Sequence, residues 1–373
     1  MANFLTNLLS SFGKKEGESV LGIDIGSASI KVVQMHKKKG RAVLETYGEI
    51  ALGPYVGQAL GQATNPSTDK VAEAIVDLLR EANATTKNCG LSLPISASLI
   101  TFMKMPNVDE RQLDTMVPIE ARKYVPVSPS EVSINYWVIP KEETAFSEFQ
   151  AGQTAGPDKS LDILLVAVHN DSIIRNQDIV KAAGITSTFS EIELFGSIRS
   201  VVEQSLSPQM IIDFGASKTK LYIVERGILR ASHVISRGSQ DITMAISKSL
   251  ELSFIEAEEI KKKQGLTGNV KDQNLREIAS ITLEYIFSEI RRVLLNYQKK
   301  YEKNIGNIYL SGGGSELKGL KEMTESSLMA PVLMANPFAK VEYPAFIEGT
   351  LREVGPEFSV AVGLALRKLQ EVN

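Results

Sequence analysis

Cysteine is almost absent from this chain: Cys89 is the one thiol in 373 residues, which excludes an internal disulfide framework and suits a reducing compartment. Standing alone, it reads as a small core residue rather than a nucleophile. Histidine is nearly as scarce, and His36, His169 and His233 lie too far apart for zinc-site spacing. Neither sign of charge dominates. With 41 basic against 44 acidic residues the net charge is -3, so global electrostatics give no case for nucleic acid. No apolar run reaches the roughly 18 residues needed to span a membrane, and residues 1–11 lack the basic start and long apolar middle of a signal peptide. A cytoplasmic location is expected. A hydrophobic share of 43% and a charged share of 23% fit a folded chain long enough for two lobes or several domains.

Against these absences stands one phrase that occurs twice: Asp24-Ile25-Gly26-Ser27-Ala28-Ser29-Ile30-Lys31 and Asp213-Phe214-Gly215-Ala216-Ser217-Lys218-Thr219-Lys220. Each copy follows an apolar run and leads into another, so each reads as strand, tight polar turn, strand. Aspartate, glycine and lysine recur at the same offsets, and the copies begin 189 residues apart, about half the chain. That spacing suggests two similar halves facing each other rather than a tandem array. Glycine lets the backbone approach a ligand closely, and successive N-H groups with Ser or Thr hydroxyls can surround phosphate oxygens. An aspartate at the strand end can hold a hydrated divalent ion against those phosphates. A third motif, Asn307 to Leu317, runs from a strand into Gly312-Gly313-Gly314 and a helix start, where a planar ligand could approach the backbone.

In chain order, residues 4–12 place Phe4, Leu5, Leu8, Leu9 and Phe12 on one side of an amphipathic segment. Strands are expected over 20–25, 29–35, 42–50 and 89–93, with a helix carrying Val71, Ile75 and Leu78 between the last two, which makes the chain mixed α/β. Residues 96–186 form a separate inserted unit. It contains a helix that Pro118 kinks or divides, a half-exposed strand over 132–138 and a flexible loop over 141–160. A long helix from about 275 to 301 carries an apolar line through Ile278, Ile281, Tyr285, Ile290, Leu294 and Tyr297. A packed helix over 358–369 closes the chain. The expected division is 1–19 amphipathic segment, 20–95 and 187–206 first lobe, 207–250 and 304–373 second lobe, and 251–303 helical cap.

The three glycine motifs resemble the phosphate-one, phosphate-two and adenosine motifs of the actin, sugar-kinase and Hsp70 ATPase superfamily. The resemblance covers nearly all of the chain after residue 19, and it implies a two-lobed actin-like fold with a duplicated ribonuclease H-like core. The placement of the inserted unit looks like that in the cell-division protein FtsA and the related PilM family of the type IV pilus machine. Residues 4–12 ahead of Leu21-Gly22-Ile23-Asp24, the stretch Glu191-Ile192-Glu193-Leu194 and the ending at Asn373 look like the PilM family in particular. FtsA-like proteins usually extend through a linker to a membrane-binding helix, for which no equivalent is evident here.

The resemblance implies ATP and Mg2+ as ligands. It assigns Gly26, Ser27, Ala28, Ser29 and Lys31 to the first phosphate loop and Asp213, Gly215, Ser217 and Thr219 to the second, with Gly238 as a further phosphate-side contact. Gly312, Gly313, Gly314 and Glu316 match the adenosine motif, and Glu258 and Lys261 match the stretch that approaches ribose and base. Asp24 and Asp213 would orient the hydrated magnesium. Glu193 is a candidate for positioning a hydrolytic water. The partner implied is the cytoplasmic N-terminal tail of PilN, bound at the inserted unit and its junction with the first lobe, which links the chain to PilO and the inner-membrane platform. Pilus motor ATPases and self-association are further partners that the resemblance implies, and ATP hydrolysis is expected to be slow. The alternatives are an ATP-dependent division filament and a small-molecule kinase.

Overall fold

The computed structural model describes residues 17–140 and 160–371. The expected amphipathic start at 4–12 and nearly all of the expected loop at 141–160 lie outside the described residues. The chain divides into two compact units, Pro94–Arg175 and the remainder.

The larger unit is built on two five-stranded sheets with the same topology. In the first, the order is Arg41–Ala51, Ser29–Lys38, Val20–Ile25, Asn88–Leu93, Thr186–Ile192; in the second it is Ile228–Ile235, Thr219–Glu225, Gln209–Phe214, Asn307–Ser311, Val332–Met334. In both, the three strands joined by hairpins are antiparallel and the last two run parallel to the central strand. Alternation along the strands serves both faces of the first sheet. Leu21, Ile23, Ile30 and Val32 pack with Val71, Ile75 and Leu78 of the helix Thr68–Glu81, whereas Val20, Val33 and Met35 pack on the opposite side with Phe338, Phe358, Val362 and Leu369. Ser67 caps that helix, accepting from the Lys70 N-H.

The closing helix Ser359–Glu371 lies against the first sheet rather than the second, because its apolar side meets Val20, Val33 and Met35. The expected grouping of 304–373 with the second lobe therefore does not hold for its last part. Contact there is at backbone distance. A Cβ on Gly363 would stand 2.0 Å from the Gly196 carbonyl oxygen, and one on Gly22 would stand 2.0 Å from that of Ala361. The Arg199 guanidinium, which also binds Glu191 in a two-pronged pair, donates to the Gly363 carbonyl at 2.9 Å and pins the crossing.

Over the second sheet lie the helices Ser239–Leu250 and Leu275–Tyr301, with Phe254–Gln264 beside them. The long helix buries Leu275, Ala279, Leu283, Ile286, Phe287, Ile290 and Tyr297, while Ile281 is 83% and Tyr285 50% exposed. The expected line through 281 and 285 is corrected accordingly. Apolar residues occur around much of this helix, so spacing alone does not select the face that the sheet covers.

The unit Pro94–Arg175 contains one antiparallel sheet, ordered Ser98–Pro106, Ser160–His169, Val132–Ile139, with the helix Glu110–Ala121 packed through Leu113, Val117 and Ala121 onto Met103, Ile163 and Leu165. The expected break at Pro118 does not occur. Pro118 sits on the exposed side of a continuous helix, where the carbonyl its missing N-H leaves free can meet water. The structural division falls at Arg175, short of the expected boundary at 186, because Ile179 and Ile185 already belong to the core beside the first sheet.

Gly363→Ala should destabilise the chain by about 3 kcal/mol, since a methyl there overlaps fixed backbone. Gly349→Ala, where an added Cβ meets nothing within 4 Å, should leave stability unchanged or raise it slightly. Urea denaturation of the two variants tests the difference, and equal midpoints would show that the helix crossing can relax.

Candidate functional site

The duplicated topology places the two repeated phrases in the same position of the two sheets. In each, the aspartate on the first strand is the cross-strand partner of the lysine on the second: Asp24 faces Lys31, and Asp213 faces Lys220. Both turns close with the same bond, Gly26 N-H to the Ser29 carbonyl and Gly215 N-H to the Lys218 carbonyl, each at 3.0 Å. The turns meet. The Ser217 hydroxyl donates to the Ser27 hydroxyl at 3.1 Å, and the Ala63 N-H donates to Gln240 Oε1 at 3.1 Å as a second tie between the halves.

Each turn is braced from behind. Leu52 and Thr64 N-H groups donate to the Ala28 and Ser27 carbonyls, and the first N-H groups of the helix Ser239–Leu250 donate to the carbonyls of Gly215 and Ala216 at 2.9 Å. That last arrangement explains Gly238, where a Cβ would lie 2.5 Å from the Ala216 carbonyl oxygen. Thr219 is fully buried and donates to the Arg237 carbonyl at 2.9 Å, which makes it a brace of this turn.

Between the turns lies a cluster of buried charge. Lys220 Nζ is 2.5 Å from Glu193 Oε2 and 3.1 Å from Asp213 Oδ2. Burial opposes its charge, but Asp213 and Glu193 outweigh that and hold the ammonium well above its ordinary range. Asp24 Oδ1 is buried without a hydrogen-bond partner. Burial first, and then the charge of Glu193, push the Asp24 carboxyl up from 3.8 to about 6, with Lys31 and Lys220 acting in the opposite direction. Beside it, the fully buried Tyr222 hydroxyl also has no partner. Lys31 turns elsewhere, donating to Ser29 Oγ at 2.7 Å and Glu49 Oε1 at 2.8 Å, with Glu357 at 3.6 Å.

The glycine motif borders this cluster. Gly312 has φ +83°, open to glycine at little cost, and a Cβ there would stand 2.4 Å from Asp213 Oδ1. Gly314 lies against Phe214 and Ser239, and Gly313 opens towards Glu357. Glu316 is exposed as a residue, yet partial desolvation and the charges of Glu357 and Glu49 push its carboxyl up to about 7. Glu258 and Lys261 form a buried pair at 2.7 Å; Glu258 accepts from Thr243 at 2.5 Å, and Lys261 donates to Ser239 Oγ and Thr243 Oγ1 at 2.8 Å. The candidate residues thus share one neighbourhood. Those that sequence reasoning left out are Lys220, Tyr222, Glu49 and Glu357, of which Lys220 was signalled by the lysine repeated at the same offset.

Two sheets of identical topology whose hairpin turns face each other define an actin-like fold. MreB5 of Spiroplasma citri bound to AMPPNP matches with a TM-score of 0.50 at 12% identity, over 95% of this chain and 97% of that one. The family of the type IV pilus assembly protein PilM matches residues 22–369, and the chain belongs to it. A structure of the PilM-PilN type IV pilus biogenesis complex matches with a TM-score of 0.78 at 24% identity, over 94% of this chain and 98% of that one. The cell division protein FtsA of Neisseria meningitidis serogroup B is 30% identical over 175 residues, 41% of either chain, so the match spans about two fifths of that relative's length.

Because the folded Asp24 carboxyl titrates near 6, above its ordinary 3.8, the folded state holds this proton more tightly than the unfolded state. The resulting stabilisation is complete below the ordinary value and is lost as pH rises through 6. Asp24→Asn should therefore be more stable than the parent at pH 8, by on the order of 1–3 kcal/mol, with the gap closing towards pH 5. Urea titrations across that range measure it, and a gap independent of pH would contradict the buried charge.

Proposed function

We propose that this chain is an ATP-binding scaffold or switch of the type IV pilus inner-membrane platform, acting at the cytoplasmic face and binding the cytoplasmic N-terminal tail of PilN. The observation that carries the reading is the family match over residues 22–369. Structural likeness to a PilM-PilN complex supports the choice of partner. Contact with PilO and with pilus motor ATPases follows through that platform. Among the described residues no helix is long and apolar enough to cross a membrane.

Nucleotide binding rests on the facing turns. Ser27, Ala28 and Ser29 with Gly215 and Ser217 would receive phosphate oxygens, Gly312 to Gly314 would border the base, and the pair Glu258 and Lys261 would form the wall at the nucleoside end. The likeness to MreB5 with its bound nucleotide analogue supports this use of the fold. Among the described residues no three acidic, histidine or cysteine side chains converge into a direct metal cage, but Asp24 Oδ1 is buried without a partner, which suits a hydrated divalent cation reached through water. Asp24 and Asp213 would hold such an ion through water, and when bound it would neutralise charge on the phosphates. Glu193 is committed to Lys220, which disfavours orienting a water and fits slow hydrolysis. Output would then come from a shift in the balance between conformations.

The unit Pro94–Arg175 suits partner contact because Ile119, Tyr124, Trp137 and Val138 are exposed on it. Trp137, 52% exposed, is the chain's one tryptophan and reports on this unit alone. Titrating the full chain with a synthetic PilN N-terminal peptide should shift Trp137 emission, and ATP with magnesium should change the peptide's affinity by about fivefold or more. Absence of binding to any pilus-platform tail, by fluorescence and calorimetry, would overturn the proposal. The FtsA match favours a second reading, a division filament, for which ATP-dependent pelleting without peptide binding would be the signature.

A further inference from the structure

The repeated lysines do different things, and strand register explains the difference. Lys31 sits on the middle strand of its antiparallel trio, with Asp24 opposite on one side and Glu49 opposite on the other. It bonds to Glu49 at 2.8 Å and leaves Asp24 Oδ1 without a partner. Lys220 occupies the equivalent position, with Asp213 opposite on one side, but the residue across from it on the outer strand is Val234. A valine offers no charge. Lys220 therefore turns inward and binds Asp213 and Glu193 at 3.1 and 2.5 Å, between the two turns.

From this geometry we propose that the Lys220 ammonium is a resident cation of the interlobe site and sets its affinity for divalent metal ions. The inference rests on the nucleotide-site reading above, and names Lys220 as the residue that tunes that site. Glu193 and Asp213 are bound directly to the one fixed positive charge of Lys220, and Asp24 lies close enough to Glu193 to feel its charge; among the described residues these carboxylates do not converge into a ready-made metal cage. Asp24 Oδ1 and the fully buried Tyr222 hydroxyl, both unpartnered, are the polar atoms that the ammonium does not satisfy. A metal ion approaching Asp213 or Glu193 must displace Lys220 or share their charge with it, so metal affinity in the absence of nucleotide is lowered. Removing the ammonium, or drawing it outward with an acid at the position that Glu49 occupies in the first copy, should open the site to metal.

The probe is Mn2+ alone, followed by electron paramagnetic resonance on the full chain without nucleotide. Lys220→Met should bind Mn2+ at least about tenfold more tightly than the parent, and addition of Mn2+ should raise its melting temperature while leaving the parent's unchanged. Val234→Glu should also tighten Mn2+ binding, by about threefold or more, and Lys220→Arg should stay as weak as the parent. Should Lys220→Met fail to fold by circular dichroism, the comparison of Val234→Glu with Lys220→Arg decides alone, because both keep a cation. Equal Mn2+ affinity across the folded variants, or tight binding by the parent, would overturn the proposal. Failure of every variant to bind ATP would instead sink the nucleotide reading and leave the Mn2+ comparison standing.

Discussion

The hydrogen bond between the Ser27 and Ser217 hydroxyls joins two turns with the same backbone bond, carried at the same place on two sheets of the same topology. Small residues make that approach feasible. Behind each turn the carbonyls are satisfied by N-H groups from Leu52 and Thr64 on one side and from the helix Ser239–Leu250 on the other. The turns are therefore held by their own halves before they meet, which would leave their outward surfaces to the phosphate binding proposed above.

Around this contact the two halves have diverged electrostatically. Glu49 on the outer strand of the first sheet draws Lys31 away from Asp24, and Val234 at the corresponding place in the second leaves Lys220 to Asp213 and Glu193. One side is left with a buried, unpartnered carboxylate oxygen and the other with a buried ammonium bridge. Such clusters cost stability, and they are kept where binding requires them. In the switch proposed above, a site preloaded with its own cation would suit an output of conformation rather than turnover.

Packing imposes the other constraint. The helix Ser359–Glu371 meets the first sheet at Gly22 and the helix Glu193–Val201 at Gly363, where an added Cβ would lie 2.0 Å from a backbone oxygen. This ties the end of the chain to its first strands and holds Glu193, at the start of the helix Glu193–Val201, in a fixed position beside the cluster. The geometry of Glu193 thus depends on backbone contacts remote from the charges it faces.

Sequence by itself determined the central strands and the duplicated turns and proposed most of the candidate residues, because alternation, glycine and repeated offsets are local properties that survive in one dimension, but it left out the edge strands Thr186–Ile192 and Val332–Met334. The pairing of Asp24 with Lys31 and of Asp213 with Lys220 follows almost directly from a tight turn. Only the tertiary structure decided which face of the helix Leu275–Tyr301 is buried, since Ile281 and Tyr285 are as apolar as the residues that face the core. It also decided that Pro118 is tolerated on an exposed helix side, that Thr219 braces a turn through Arg237, and that the closing helix belongs with the first sheet. The destination of Lys220 was hidden for a related reason. A lysine's partner is set by what lies across the next strand and the next lobe, and those neighbours, Val234, Asp213 and Glu193, come together only when both sheets have formed.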